Sequence, residues 1–413
     1  MKKFFLSFLT FMLLLCSLPY QVVLADELDL PAQSAIAVEA DTGKILYEKD
    51  SEKKRDVGGL STLLTTYLIF EAIHEKKLSL KDPIKLSEKA LALNDIEGAG
   101  TLPMEANQYT VEQLLTALLV GNSSTAALAL AEKVGGSEKS FVEKMKQKLS
   151  EWGIQSPHLI NATGLNTQTI SGDPDGKGDE NQLSAYDIAV IAKHLLQDFP
   201  EVTKYTSKPT ALFSNTQIEN PNLMLEGMPN YRSGVDGLRV SNSTKGGITF
   251  AASTTQNGIH MITVVLGVEA VDGDPYARFV ATSSLMNYVV RTFVSSIVVK
   301  EGDPYGKSKA TVMDGKSETV LAVAKKDFYI VEKQGSQTEP KIQFKSNQES
   351  FRAPVKSGTS LGKLHYTDPD KIGRGYLEDQ EPTVDMVARR TIEKSFFLKV
   401  WWNEFVRYVN EKL

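Results

Sequence analysis

Cysteine is almost absent from this chain. The only one among 413 residues is Cys16. It lies in an N-terminal segment expected to be removed, so the rest carries no thiol nucleophile, disulfide or cysteine metal ligand. Histidine is scarce too. The five residues His74, His158, His194, His260 and His365 show no metal-ligand spacing, and no metal or cofactor is expected. Excess positive charge is also missing: a formal net charge of −5 argues against nucleic acid, which would call for a basic face. No low-complexity tract or internal repeat stands out.

What is present begins with a leader. Met1-Lys2-Lys3, an apolar run over residues 4–15 and Val23-Leu24-Ala25 before Asp26 form the pattern of a secretory signal cleaved after Ala25. The run is shorter than the roughly 18 residues that span a bilayer. Leu13-Leu14-Leu15-Cys16 lacks the small residue of a lipoprotein signal. The protein is therefore expected outside the cytoplasm. A hydrophobic content of 41% supports full cores, and the mature length favours two domains.

Residues 34–40 and 45–48 read as a hairpin around Asp41-Thr42-Gly43-Lys44. Residues 63–73 and 111–134 are apolar stretches that read as buried helices, and 183–196 as a further helix entered at Ser184 with Asp187 as its capping partner. Strands over 247–253 and 260–267 flank the turn signal Gln256-Asn257-Gly258, and a helical stretch over 277–294 follows. Helices between a hairpin and late strands predict an α+β core with an antiparallel sheet. After a composition change at residues 301–304, short β-like runs to about residue 388 predict a small all-β domain.

The last segment, 391–413, differs again. On a helical projection Phe397, Leu398, Trp401, Trp402, Phe405, Tyr408 and Val409 share one face, with Lys399, Asn403, Arg407 and Asn410 opposite. Its wide aromatic face suits a helix lying in a membrane interface, against the alternative of a helix packed on the β domain. The expected division is signal peptide 1–25, α+β domain 26–298, β domain 299–390 and amphipathic helix 391–413.

The stretches 37–48, Asn161-Ala162-Thr163-Gly164-Leu165-Asn166, Leu183-Ser184-Ala185-Tyr186-Asp187 and Asp236-Gly237-Leu238 resemble the D-alanyl-D-alanine carboxypeptidases, the low-molecular-mass penicillin-binding proteins. The small β domain and amphipathic C-terminus match that branch as well. Residues 396–403 look like those of streptococcal members. The resemblance implies a penicillin-recognising, β-lactamase-like transpeptidase fold and three catalytic motifs.

In this family Ser-x-x-Lys supplies a nucleophilic serine and a lysine base. The register places Gly59 at the serine and Thr62 at the lysine, and neither residue can do the work. Ser-x-Asn maps onto Asn122 and Ser124, with the polar groups exchanged, although an ordinary polar helix connection reads the same way. Lys-Thr-Gly maps onto Arg239-Val240-Ser241. There Arg239 keeps a positive charge, Val240 has no hydroxyl, and Ser241 puts a side chain into the groove.

Moved motifs fare no better. Ser61 has leucine at position 64, Ser51 with Lys54 lies in a charged run, and Ser360 with Lys363 lies in the β domain. Lys245-Gly246-Gly247 sits beyond the groove. Asp173, Asp175, Asp179 and Glu180 suggest a weak calcium loop, but Lys177 interrupts the pattern.

The sequence therefore predicts a catalytically inactive relative of these carboxypeptidases. It would act in cell-wall biology by binding peptidoglycan stem peptides or cell-wall enzymes, peripherally on the outer face of the cytoplasmic membrane. The alternative is an active carboxypeptidase that removes the terminal D-alanine of peptidoglycan pentapeptides.

Overall fold

The computed structural model describes residues 28–96, 99, 102, 104, 106–171, 178–338 and 341–412. The signal peptide and most of the acidic loop, residues 173–177, lie outside the described residues. From Pro31 onward the chain forms one compact unit.

Its first half is built on a five-stranded antiparallel sheet. The strand order is Ile45–Lys49, Ala32–Glu39, Ile259–Val268, Gly247–Gln256 and Val235–Ser243. Both expected hairpins are there. Asn257 and Gly258 have φ of 49° and 74°, the left-handed pair that a tight two-residue hairpin turn requires.

Strand alternation divides the sheet's contacts between two helical layers. Ile36, Val38, Ile262, Val264 and Leu266 belong to one core with helices Thr62–His74, Val111–Leu119, Ser124–Gly135 and Ala185–Asp198. On the other face Phe250 meets Phe279 of helix Ala277–Thr292 edge-on, with ring centroids 5.5 Å apart. The Ser184 hydroxyl and the Asp187 carboxylate form the expected reciprocal cap of Ala185–Asp198.

The apolar stretch 111–134 does not form one helix. It breaks between Leu119 and Ser124. There Asn122 takes a left-handed φ of 60°, and the Ser123 hydroxyl accepts the Ala126 N–H at 3.2 Å to start a new helix. The string Gly121-Asn122-Ser123 carries the turn formers that mark this break.

The second half is all β, as expected. A six-stranded sheet and a ribbon pairing Phe293–Val299 with Phe328–Lys333 enclose a core that includes Val312, Ile330, Leu361, Leu364 and Met386. A strap over residues 368–380 then returns to the first half. Gly375 O accepts the Ile45 N–H and Gly43 O accepts the Leu377 N–H, both at 2.8 Å. The buried Lys44 ammonium donates to Val331 O and pairs with Asp368, each at 2.7 Å.

Glu378 at the end of the strap accepts hydrogen bonds from His194 and Lys193, which hold its carboxyl down to about 2 from an ordinary 4.5. A depressed folded-state value means that the stabilisation is full above pH 4.5 and lost as the pH falls towards 2. The melting temperature of the wild type is therefore expected to fall more steeply than that of Glu378→Gln across this window. Parallel curves would contradict the strap's role.

The terminal helix spans Phe397–Lys412. The residues before it belong to the β sheet region: Ile392 is buried and Ser395 N–H donates to Asp314 O at 2.8 Å. Polar side chains of the helix face inward, with Arg407 and Asn403 donating to the Asp314 carboxylate at 2.9 and 3.3 Å. Phe397, Trp401, Trp402, Phe405 and Tyr408 are exposed.

Candidate functional site

A groove of about 620 Å³ runs along the edge strand Val235–Ser243. Gly59, Asn122, Ser124, Arg239, Val240 and Ser241, distant in sequence, all line it. Thr62 lies just inside, buried, its hydroxyl donating to Gly59 O at 2.6 Å.

Close backbone approach explains the first stretch. Gly58 has φ of 53°, and a Cβ there would stand 2.4 Å from Asn242 O. The chain therefore enters the buried helix Thr62–His74 pressed against the edge strand. The opposite wall is the turn 161–166. It holds itself in shape because Asn161 Oδ1 accepts from Gly164 N–H at 2.7 Å and Asn161 Nδ2 donates to Leu165 O at 2.7 Å.

Ser241 decides what the groove can do. Its hydroxyl oxygen accepts the Gly59 N–H at 2.7 Å. A backbone N–H at the start of a buried helix, facing a groove, is the kind of donor that stabilises an oxyanion in acyl transfer. Here the protein's own side chain satisfies it. Ser61 offers no substitute: it is buried, donates to Gly58 O at 3.0 Å and accepts from Asn181 at 2.8 Å.

Arg239 is 5% exposed and donates to Leu118 O at 2.6 Å, while its Nε has no hydrogen-bond partner among the described residues. One guanidinium nitrogen would lie 3.8 Å from a Cβ on Gly59. Burial pushes the guanidinium down to about 9, which leaves it charged at neutral pH. The Asn122 amide donates to Val240 O at 3.1 Å, tying the helix break to the edge strand. Ser124 is buried at the start of its helix, and its N–H donates to Ala99 O at 3.1 Å.

Of two further groove residues, Arg278 carries no local sequence signal, and Glu180 stood out in the sequence only as part of the acidic loop. Arg278, at the start of helix Ala277–Thr292, donates to Ser241 O at 2.8 Å and Thr249 O at 3.1 Å, and burial pushes it down to about 10. Glu180 lies in the opposite wall. Only the tertiary structure brings them to the groove.

The other candidates stay outside it. The Ser51 hydroxyl bonds Glu48, and Lys54 bonds the carbonyls of Gln155 and Ser156. Ser360 and Lys363 lie on a strand of the β sheet, and Lys245 bonds Gly178 O. Ser253 is 3.2 Å from His260, whose other ring nitrogen is 4.0 Å from Asp41. That order resembles a charge-relay chain, yet Ser253 is fully buried inside a strand, where no substrate carbonyl reaches it. Among the described residues no group of three or more His, Cys, Asp or Glu is placed to hold a metal ion.

Positions 59, 122, 124 and 239–241 thus meet where a buried helix starts against an edge strand. The D-alanyl-D-alanine carboxypeptidase family profile matches residues 21–270. The chain belongs to this family. The profile of the penicillin-binding protein 5 C-terminal domain matches residues 293–394.

Among relatives, D-alanyl-D-alanine carboxypeptidase DacF of Bacillus subtilis is 28% identical over 346 residues, covering 82% of each chain. DacA of Escherichia coli is 24% identical over 375 residues, covering 90% of this chain and 86% of the relative. A solved structure of a peptidoglycan synthesis regulatory factor, PBP3 of Streptococcus pneumoniae, is 45% identical with a TM-score of 0.85, covering 89% of this chain and all of that one. Penicillin-binding protein 5 of Haemophilus influenzae, at 23% identity and a TM-score of 0.68 over 89% of this chain and 99% of that one, shares the fold. The carboxypeptidase-family relationship places this chain in peptidoglycan metabolism.

Proposed function

We propose that this family member is not a carboxypeptidase, and that it binds carboxylate-terminated cell-wall peptides in its groove while its terminal helix rests on the membrane. The observation that carries the reading is Gly59 with its N–H bonded to Ser241. The nucleophile position has no side chain, position 62 has no amine, and the oxyanion donor is occupied. Incubation with a pentapeptide ending in D-Ala-D-Ala is expected to release no D-alanine above background, and release that depends on the protein would sink the reading.

Binding rests on Arg239. A buried guanidinium with no carboxylate within ion-pair reach among the described residues leaves donors for a ligand carboxylate. Ser241 narrows the groove, so the affinity is weak. Titrating a muropeptide stem by calorimetry against the wild type and Arg239→Ala is expected to show at least tenfold weaker binding to the variant. Identical isotherms would remove Arg239 from the site.

Export to the cell-wall compartment fits the leader and the carboxypeptidase relatives. No helix among the described residues is long and apolar enough to cross a membrane. A peripheral attachment through Phe397–Lys412 fits its exposed aromatic face and its inward polar face. Cell-wall peptides or enzymes are then the partners within reach.

A further inference from the structure

The β half carries a cationic strip far from the groove in the chain. On the sheet-edge strand Lys341–Ser346, Ile342 and Phe344 pack on the β core, so Lys341, Gln343 and Lys345 take the outer face. Lys345 stands directly opposite Lys363 of strand Ser360–Thr367, and Gln343 opposite His365. All three lysines are exposed. Among the described residues none of them has an ion-pair partner; the ion pairs of this half run through Arg352, Lys371, Arg374 and Arg407. Asp385, the neighbour of Lys363 on strand Thr383–Ala388, is in register with it but not within ion-pair distance. Like charges placed opposite each other on a sheet repel. Lysine on an edge strand keeps other strands away, which accounts for Lys341 and Lys345. It does not account for Lys363, whose strand is paired on both sides. Desolvation, then the charges of Lys345 and Lys363, hold His365 below the ordinary imidazole range, with Glu381 acting the other way.

A chain with a net charge of −5 thus keeps uncompensated cations together at one place. We propose that this strip docks a linear polyanion with phosphate along its backbone, independently of the groove. Lysine meets phosphate as a compact point charge, whereas carboxylate recognition favours the guanidinium fork. From Lys341 to Lys345 the strand runs about 13 Å. A single phosphate reaches one end of the strip, and a chain of phosphates reaches both. Asp314, which holds the terminal helix, follows strand Lys309–Met313, four strand spacings or about 19 Å across the sheet from strand Lys341–Ser346. That separation favours a polymer over the lipid surface beneath the helix.

Long-chain inorganic polyphosphate is the probe, titrated against the full mature protein at low salt, where such contacts are strongest. Lys345→Gln/Lys363→Gln is expected to bind it about tenfold more weakly than the wild type. Its melting temperature should be unchanged or higher, because the cross-strand repulsion is gone. Lys139→Gln/Lys144→Gln removes the same charge from exposed positions on helix Glu138–Glu151 and is expected to bind like the wild type. A second readout is His365, whose titration midpoint, followed by NMR, should rise when polyphosphate neutralises the two lysines and stay in place with orthophosphate. Equal losses in the two double variants would reduce the effect to net charge and overturn the strip. So would a His365 midpoint that saturating polyphosphate leaves unmoved. If polyphosphate does not bind, while Lys345→Gln/Lys363→Gln weakens sedimentation with vesicles of anionic lipid, the strip is a membrane contact and the proposal falls.

Discussion

Incubated with a fluorescent penicillin, the purified protein is expected to carry no covalent label. Penicillin labels this family by acylating a serine oxygen, and at Gly59 that oxygen is absent. Loss of the nucleophile of a serine hydrolase costs on the order of 10⁶ in turnover, about 8 kcal/mol of transition-state stabilisation. The geometry adds a second obstacle, because the Gly59 N–H is bonded to Ser241 and unavailable to an oxyanion. Gly59→Ser alone is therefore expected to stay unlabelled. Its Cβ would stand 3.0 Å from the Ser241 hydroxyl, and Thr62 provides no base. The double variant Gly59→Ser/Thr62→Lys still meets Ser241 and the exchanged pair Asn122 and Ser124. Measurable acylation is expected only when all three motifs are rebuilt, Ser241→Gly included. A stable label on the unmodified protein, mapped by mass spectrometry to any serine, would overturn the inactive reading and favour the carboxypeptidase one.

The second large effect concerns the membrane. Removing residues 396–413 is expected to weaken sedimentation with lipid vesicles by more than 100-fold. Phe397, Trp401, Trp402, Phe405 and Tyr408 are all exposed, and full burial of a large apolar side chain contributes about 1.5 to 3 kcal/mol. The cut belongs after Ser395, because Ile392 is buried in the β core and its loss would damage folding. Asp314 orients the helix by holding Arg407 and Asn403. Desolvation raises its carboxyl, but the hydrogen bonds from Arg407 and Asn403 and the positive charges of Arg407 and Arg352 together keep it below the ordinary range, so the anchor persists at neutral pH. A truncated protein that still sediments, or an intact one that never does, would end the membrane reading.

The elements that depend on local pattern were readable in advance. Alternation and an Asn-Gly turn specify the 247–267 hairpin, and the Ser184 and Asp187 pair specifies where a helix begins. That positions 59, 122, 124 and 239–241 belong to one groove was readable as well, because their neighbours keep the family register. Helix continuity through 111–134 misread a Gly-Asn-Ser string inside an apolar run, where side-chain capping outweighs helix propensity.

The sequence by itself determined that Gly59 offers no side-chain nucleophile and that position 62 offers no amine, since chemistry that a side chain lacks cannot be restored by folding. It also determined the amphipathic face of the last helix, which follows from a period of about 3.6 residues. Only the tertiary structure decided that Ser241 occupies the Gly59 N–H, that Arg239 is buried with no carboxylate in ion-pair reach among the described residues, and that Glu180 lines the same groove. These contacts join residues 59, 180 and 241 through sheet register and turn geometry. No local pattern encodes such distances. They arise from packing of the whole core, which brings remote backbone groups within hydrogen-bond reach and sets which of them are left unpaired.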